Sequence, residues 1–201
     1  MSRRRRVDPG SAAARVVDAM DAVDRRDFLP SAQQRFARAD LPLRIGHGAT
    51  CSQPSTVEVM LELLDARPGD RVLDVGSGSG WTTALLARLV APGGAVVGVE
   101  IEPDLVEMGQ ANLLGADVAA RIEQAVPGHV GRPEDAPYDR ILVSAEARHV
   151  PRALVEQLAD GGRLVVPVRG ELVVLDRAGT EATTRRYGTF QFVPLRAAGD
   201  D

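Results

Sequence analysis

The sequence predicts an α/β fold: a doubly wound, mostly parallel sheet with an antiparallel edge. Three observations carry this. From Arg71 onward, short continuous apolar runs alternate with segments of helical period, the order expected of strands buried on both faces between helices. A glycine-rich loop separates the first of these strands from the helix after it. The final apolar runs lie too close together for a crossover helix, so they pair antiparallel.

Each element has a local justification. Ser2–Arg6 reads SRRRR, a basic tail and not a signal peptide, because no apolar stretch follows it. Val16, Val17, Ala19, Met20 and Val23 recur at helical spacing, which predicts an amphipathic helix over Ala12–Phe28, ending before Pro30. Gln33–Leu43 is polar and reads as loop or short helix. Ile45–Pro54, with two glycines and a proline, reads as a shaped loop outside regular structure. Ser55 is placed to cap a helix over Thr56–Leu64 with Glu58 as its partner, and Val57, Met60, Leu61 and Leu64 form its buried stripe.

After a turn at Pro68–Asp70, Val72–Val75 is a strand, Trp81–Val90 a helix and Ala95–Ile101 a second strand. Pro103 stands where a third helix begins and Gly115 where it is capped. Ile141–Val143 is a strand, and Pro151–Leu158 a helix closed by Gly161-Gly162. Leu164–Val166 and Leu172–Leu175 are strands that pair, and a last strand covers Thr184–Val193. Residues 1–70 are read as an N-terminal helical segment and loop packed on a core of residues 71–201, in one compact domain overall.

Composition excludes several chemistries. All 24 basic residues are Arg, so there is no lysine for a phosphate loop, a Schiff base or proton transfer. One Cys and three His without an HExxH pattern leave no disulfide framework and no predicted metal site. Aromatics at 3% and a net charge of −4 argue against a nucleic-acid or anionic-membrane partner. No run approaches the roughly 18 apolar residues that cross a bilayer. The lone cysteine and the missing signal point to the cytoplasm, and a monomer is expected.

The sharpest motif is Asp74-Val75-Gly76-Ser77-Gly78-Ser79-Gly80, between strand and helix. Glycines there let the backbone turn tightly and approach a ligand. A dinucleotide site wants GxGxxG, but here Trp81 takes the third-glycine position, where an indole is expected to hold the helix away. Asp74 precedes the first glycine, where a carboxylate can face a cation. S-adenosyl-L-methionine carries an ammonium and a sulfonium and no phosphate, so it fits this loop better than a dinucleotide does. Glu100, ending the next strand, can accept hydrogen bonds from ribose hydroxyls.

With these residues in view, the chain resembles the protein-L-isoaspartate O-methyltransferases, repair enzymes that methylate isoaspartyl residues. The resemblance runs from about Val16 to Leu195. It includes Arg26–Pro30, Gly46–Pro54, the glycine loop, Ala136–Ile141, Gly161–Val168 and Phe192–Leu195. It implies a Rossmann-like methyltransferase core of seven strands. It also implies that Asp74, Val75, Gly76, Ser77, Gly78, Gly80, Glu100 and Ile101 hold S-adenosyl-L-methionine, which leaves as S-adenosyl-L-homocysteine. Thr50 and Ser52 match the family's active-site hydroxyls. Gln53, Pro54, Val193, Pro194 and Leu195 match segments that contact the substrate, an isoaspartyl-containing protein or peptide. The methyl ester then collapses to a succinimide, whose hydrolysis returns some normal aspartate.

Two positions depart from the family pattern. Ser55 stands where His is usual. Pro127 stands where an acid reaches the adenine amino group, leaving adenine to backbone, apolar contacts or another acid such as Glu134. Two other functions compete with isoaspartyl repair. One, favoured by Ser55, is carboxyl methylation of an ordinary Asp in a specific peptide. The other, favoured by Pro127, is cofactor binding without turnover. Cys51 and Trp81 are read as packing residues, and His47 as lining the pocket mouth.

Overall fold

The computed structural model describes residues 8, 10–126 and 128–196. The SRRRR run and Pro127 lie outside the described residues.

Helix α1 covers Ala12–Ala22, with the Ser11 hydroxyl accepting from the Ala14 N–H at 3.2 Å. It stops six residues short of the expected Phe28. The cause is local: the Asp24 carboxylate accepts from the Arg26 N–H at 2.9 Å and starts a separate 3-10 turn at Arg25–Phe28. A second 3-10 turn covers Gln34–Phe36.

The expectation of an irregular loop at Ile45–Pro54 is corrected. Strands β1 (Leu43–Gly46) and β2 (Ala49–Cys51) form a small antiparallel hairpin. Its two central residues, His47 and Gly48, have φ of 50° and 74°, the positive values that a tight hairpin turn needs. Helix α2 (Pro54–Leu64) starts two residues earlier than expected, because Pro54 has the fixed φ suited to a first helical position. Ser55 is not its cap. The Asp40 carboxylate takes that part from a distance, accepting from the Ser55 N–H at 2.9 Å. The stripe Val57, Met60, Leu61 and Leu64 is buried as expected, and full burial of each such side chain stabilises by about 1.5–3 kcal/mol.

The main sheet has seven strands: β3 (Arg71–Val75), β4 (Ala95–Glu100), β5 (Ala120–Gln124), β6 (Tyr138–Val143), β7 (Leu158–Val168), β8 (Glu171–Ala178) and β9 (Glu181–Tyr187). Their order is β5-β4-β3-β6-β7-β8-β9. The first five in that order are parallel, and β8 and β9 run antiparallel. Helices α3 (Trp81–Val90), α4 (Pro103–Ala116) and α5 (Arg152–Glu156) connect the parallel strands. Alternate residues of each strand feed two cores. Val72, Val96, Leu142 and Val165 belong to the core shared with α1, α2 and α3, and Leu73, Val97, Ile141 and Leu164 to the opposite one.

Several boundaries differ from expectation. β5 has no counterpart in the sequence reading, because Ile122 is its only buried residue and leaves no apolar run. Helix α4 ends at Ala116 instead of being capped at Gly115, and Asp117 takes the left-handed position with φ 48°. Gly161-Gly162 lies inside β7 and does not close a helix. A Cβ on Gly162 would sit 2.9 Å from the Ala159 carbonyl and 3.1 Å from that of Tyr138, so the strands approach there only because the side chain is missing. β9 stops at Tyr187. The chain beyond it crosses to Glu146 instead, whose N–H donates to the Val193 carbonyl at 2.8 Å and whose carbonyl accepts from the Leu195 N–H at 2.7 Å. That crossing lays Val193–Leu195 over the carboxyl ends of β3 and β6, where the strand order reverses and a crevice opens.

Candidate active site

The glycine loop leaves β3 with Gly76, Gly78 and Gly80 at φ of 79°, 52° and 88°, a region in which side chains are strained. Its polar groups face inward. The Gly76 and Ser77 N–H groups donate to the Val99 carbonyl, the Gly80 N–H to the Ser77 carbonyl, and the Gly78 N–H to Glu100 Oε2 at 2.9 Å. The other Glu100 oxygen accepts from the Ile101 and Glu102 N–H groups at 2.7 and 3.1 Å. A carboxylate has about four acceptor sites, so these three contacts leave one for a ligand.

Trp81 does not hold its helix away. The indole packs in the core beneath the Arg25 guanidinium, 5.3 Å from ring centre to Arg Cζ. The close approach is made by Gly80, whose absent Cβ would lie 3.2 Å from the Gly109 carbonyl of α4.

A cavity of about 310 Å³ opens over the carboxyl ends of the strands. Val75, Gly76, Gly78, Glu100 and Ile101 line it, with Ala125 after β5 and Ser144 and Ala145 after β6. The hairpin tip and Val193–Arg196 roof it. His47 of that tip meets Asp104 at 3.0 Å and Glu102 at 3.4 Å, and Arg196 meets Glu102 at 2.7 Å, so both roof pieces are fastened to the start of α4. Such exposed pairs contribute about 0–1 kcal/mol each.

Asp74 does not line this cavity. It is fully buried beneath the loop, where Oδ2 accepts from the Thr83 hydroxyl at 2.7 Å and Oδ1 from the Ser144 hydroxyl at 3.3 Å. Burial pushes its pKa up to about 6, opposed by the Thr83 and Ser144 hydrogen bonds and assisted by the nearby charge of Glu100. Ser77 lies along a narrow gap between the loop and Thr50–Ser52, and its hydroxyl is buried without a partner among the described residues.

A second, open groove of about 660 Å³ adjoins the first cavity. Thr50, Ser52, Gln53 and Ser55 form one wall and Thr189–Val193 the other. Thr50 and Ser144 line the cavity and the groove alike. Pro54 lines neither, and Pro194 and Leu195 line the cavity but not the groove. Behind Ser52 stands Arg25, 5% exposed, whose guanidinium donates to the carbonyls of Ala37, Ala39, Leu41, Cys51 and Ser52 at 2.9–3.3 Å. It has no carboxylate partner among the described residues. Cys51 is a buried thiol whose pKa burial pushes up, which fits packing and not nucleophilic chemistry.

The family model for protein-L-isoaspartate(D-aspartate) O-methyltransferase matches residues 5–199. The chain belongs to this methyltransferase family. A protein-L-isoaspartate O-methyltransferase from Aeropyrum pernix is 50% identical over 77% of the chain, which spans 60% of that relative's length. One from Methanopyrus kandleri is 44% identical over 90% of the chain and 83% of its own length. A Plasmodium falciparum structure assigned to the same activity, in complex with S-adenosyl-L-homocysteine, superposes with a TM-score of 0.79 at 26% identity, covering 90% of each chain.

The cofactor of a protein-L-isoaspartate methyltransferase is S-adenosylmethionine, and the cavity fits it. Four loop N–H groups, those of Gly76, Ser77, Gly78 and Gly80, are engaged inside the protein and do not face a phosphate. What the cavity offers instead is the free acceptor site of Glu100 and an apolar end at Ala125, Val130 and Gly131. Glu134, the alternative acid for adenine, lies in the 3-10 turn Pro133–Asp135 and does not line the cavity.

The sequence reading missed Ser144, Arg25 and the groove wall Thr189–Phe192. Ser144 had a usable signal, since it directly follows the strand that flanks the switch point. Arg25 had none, because its five acceptors come from backbone spread along the chain.

Proposed function

We propose that the chain transfers the methyl group of S-adenosylmethionine to the free carboxylate of L-isoaspartyl residues in proteins and peptides, for repair through a succinimide. The observation that supports this is the junction of the two cavities at Thr50 and Ser144, where a peptide in the groove would meet the cofactor's end. The relatives named above share the activity, and the finer assignment of residues rests on this geometry.

When bound, S-adenosylmethionine supplies an electrophilic methyl on a sulfonium. A substrate carboxylate has a pKa near 4 and is ionised at neutral pH, so no protein base is needed. The protein's task is alignment, worth up to about 7–11 kcal/mol in favourable cases. Ser52 has a hydroxyl without a protein partner among the described residues, set on the groove wall, and it donates to the substrate carboxylate. Thr50, at the junction, orients the same group. Gln53 and Val193 contact the peptide, while Val75, Gly76, Gly78, Glu100 and Ile101 hold the cofactor. Ser77 and Gly80 shape the loop, and Asp74 acts from beneath it.

The same reading makes the enzyme a cytoplasmic monomer acting on proteins, without a nucleic-acid or membrane partner. No helix among the described residues is long and apolar enough to cross a membrane.

Incubation with methyl-labelled S-adenosylmethionine and two matched peptides tests the substrate. Label enters the isoaspartyl peptide and not the aspartyl one. Label in the aspartyl peptide alone establishes the competing reading, and label in neither removes both. Ser52→Ala lowers kcat/KM for the isoaspartyl peptide about 10- to 100-fold, the loss of one hydrogen bond to a charged group. Calorimetry with S-adenosylhomocysteine should show an unchanged Kd; an equal loss of both contradicts the role.

A further inference from the structure

We propose that Ser144 binds the cationic methionine end of S-adenosylmethionine, as the contact through which the buried Asp74 carboxylate reaches the cofactor. The proposal rests on the cofactor reading above. Asp74 has the right charge for an ammonium or sulfonium but is fully buried, so nothing in the cavity touches it. Ser144 does reach the cavity, and also the groove and the narrow gap beside the loop. All three spaces meet at this residue and at Thr50, where the transferable end of the cofactor must lie for a nucleophile in the groove to reach it.

The hydrogen-bond directions decide what Ser144 offers. Its hydroxyl has one proton, and that proton goes to Asp74 Oδ1. The oxygen is then an acceptor whose lone pairs point away from Asp74. A hydroxyl that donates to a carboxylate is also a better acceptor, through mutual polarisation. Neither partner is loose: the Ser144 N–H donates to the Val75 carbonyl at 2.8 Å, and Thr83 holds the other Asp74 oxygen. A negatively backed acceptor of this kind suits an ammonium. In this arrangement Asp74 is a positioning residue and Ser144 the binding one.

The pH dependence of binding separates this role from simple packing. The charged group acting on Asp74 is Glu100 on β4, while α3 and the end of β6 present only the hydroxyls of Thr83 and Ser144. A bound cation favours ionised Asp74. Affinity is therefore full above the Asp74 pKa of about 6 and falls as the pH drops through it. His47 and His129 line the same cavity, but they remain in every variant and cancel in the comparison.

The test is calorimetry of S-adenosylhomocysteine, with adenosine as a probe lacking the methionine end, between pH 5 and 8. Ser144→Ala weakens S-adenosylhomocysteine about tenfold at pH 7, Ser144→Thr restores it to within about threefold, and adenosine binds all three proteins alike. Ser144→Ala and Asp74→Asn both lose the part of the pH dependence near 6. Equal affinity of wild type and Ser144→Ala, or an unchanged pH profile, overturns the proposal. Failure of the wild type to bind S-adenosylhomocysteine overturns the cofactor reading itself, and this proposal with it.

Discussion

Arg25→Met lowers the melting temperature by roughly 6–20 °C. The estimate combines about 3–5 kcal/mol, for several buried carbonyls left without a donor after relaxation, with roughly 2–4 °C per kcal/mol for a chain of this size. Methionine fills a similar volume, but it leaves the carbonyls of Ala37, Ala39, Leu41, Cys51 and Ser52 without their donor. Each stranded buried acceptor costs about 1–3 kcal/mol before relaxation. Arg25→Lys keeps the charge but not the planar fork, so it falls between the two. Below the melting transition, Arg25→Lys raises KM for the peptide while S-adenosylhomocysteine affinity stays as in wild type, because the tether runs to Ser52 and not to the glycine loop. A Met variant that melts within 2 °C of wild type, by a scan in which each protein refolds (~2 °C marks the smallest shift worth about 1 kcal/mol), shows that the five contacts carry little.

Glu100→Gln weakens S-adenosylhomocysteine about 100-fold or more by calorimetry, with circular dichroism unchanged. The carboxylate accepts three backbone N–H groups and keeps one acceptor site, which the proposed function gives to a ribose hydroxyl. An amide has a single oxygen, and its NH₂ would face an N–H donor of Gly78 or of the Ile101–Glu102 turn. Two hydrogen bonds to a charged group, at about 1.5–3 kcal/mol each, account for the loss. An unchanged Kd would detach Glu100 from the cofactor and leave it as an organiser of the loop.

The architecture was legible because it rests on short-range patterns. Trp81–Val90 is a helix with the bounds its period gave, and the glycine loop lies between strand and helix as read. The errors fall where tertiary contacts overrule local ones. Asp40, fifteen residues upstream of the expected cap Ser55, cannot be assigned to α2 without knowing where its loop lands. The Leu43–Cys51 hairpin depends on a non-glycine residue, His47, accepting a positive φ, which glycine counting does not foresee. In the site, the Val75, Gly76, Gly78, Glu100 and Ile101 lining follows from strand ends and is visible in sequence. The burial of Asp74 is not, since a carboxylate before a glycine loop reads the same whether it opens to a cavity or to Thr83 and Ser144.

The roof of the cofactor cavity has a kinetic consequence. Val193 belongs both to that roof and to the wall of the peptide groove, and the segment that carries it is pinned through Arg196 to the start of α4. On the proposed function, a cofactor exchange that lifts this segment would dismantle one side of the peptide's seat, and a docked peptide would hold the segment down. That coupling favours an ordered exchange, with the cofactor entering an empty enzyme before the peptide and the methylated peptide departing before the spent cofactor.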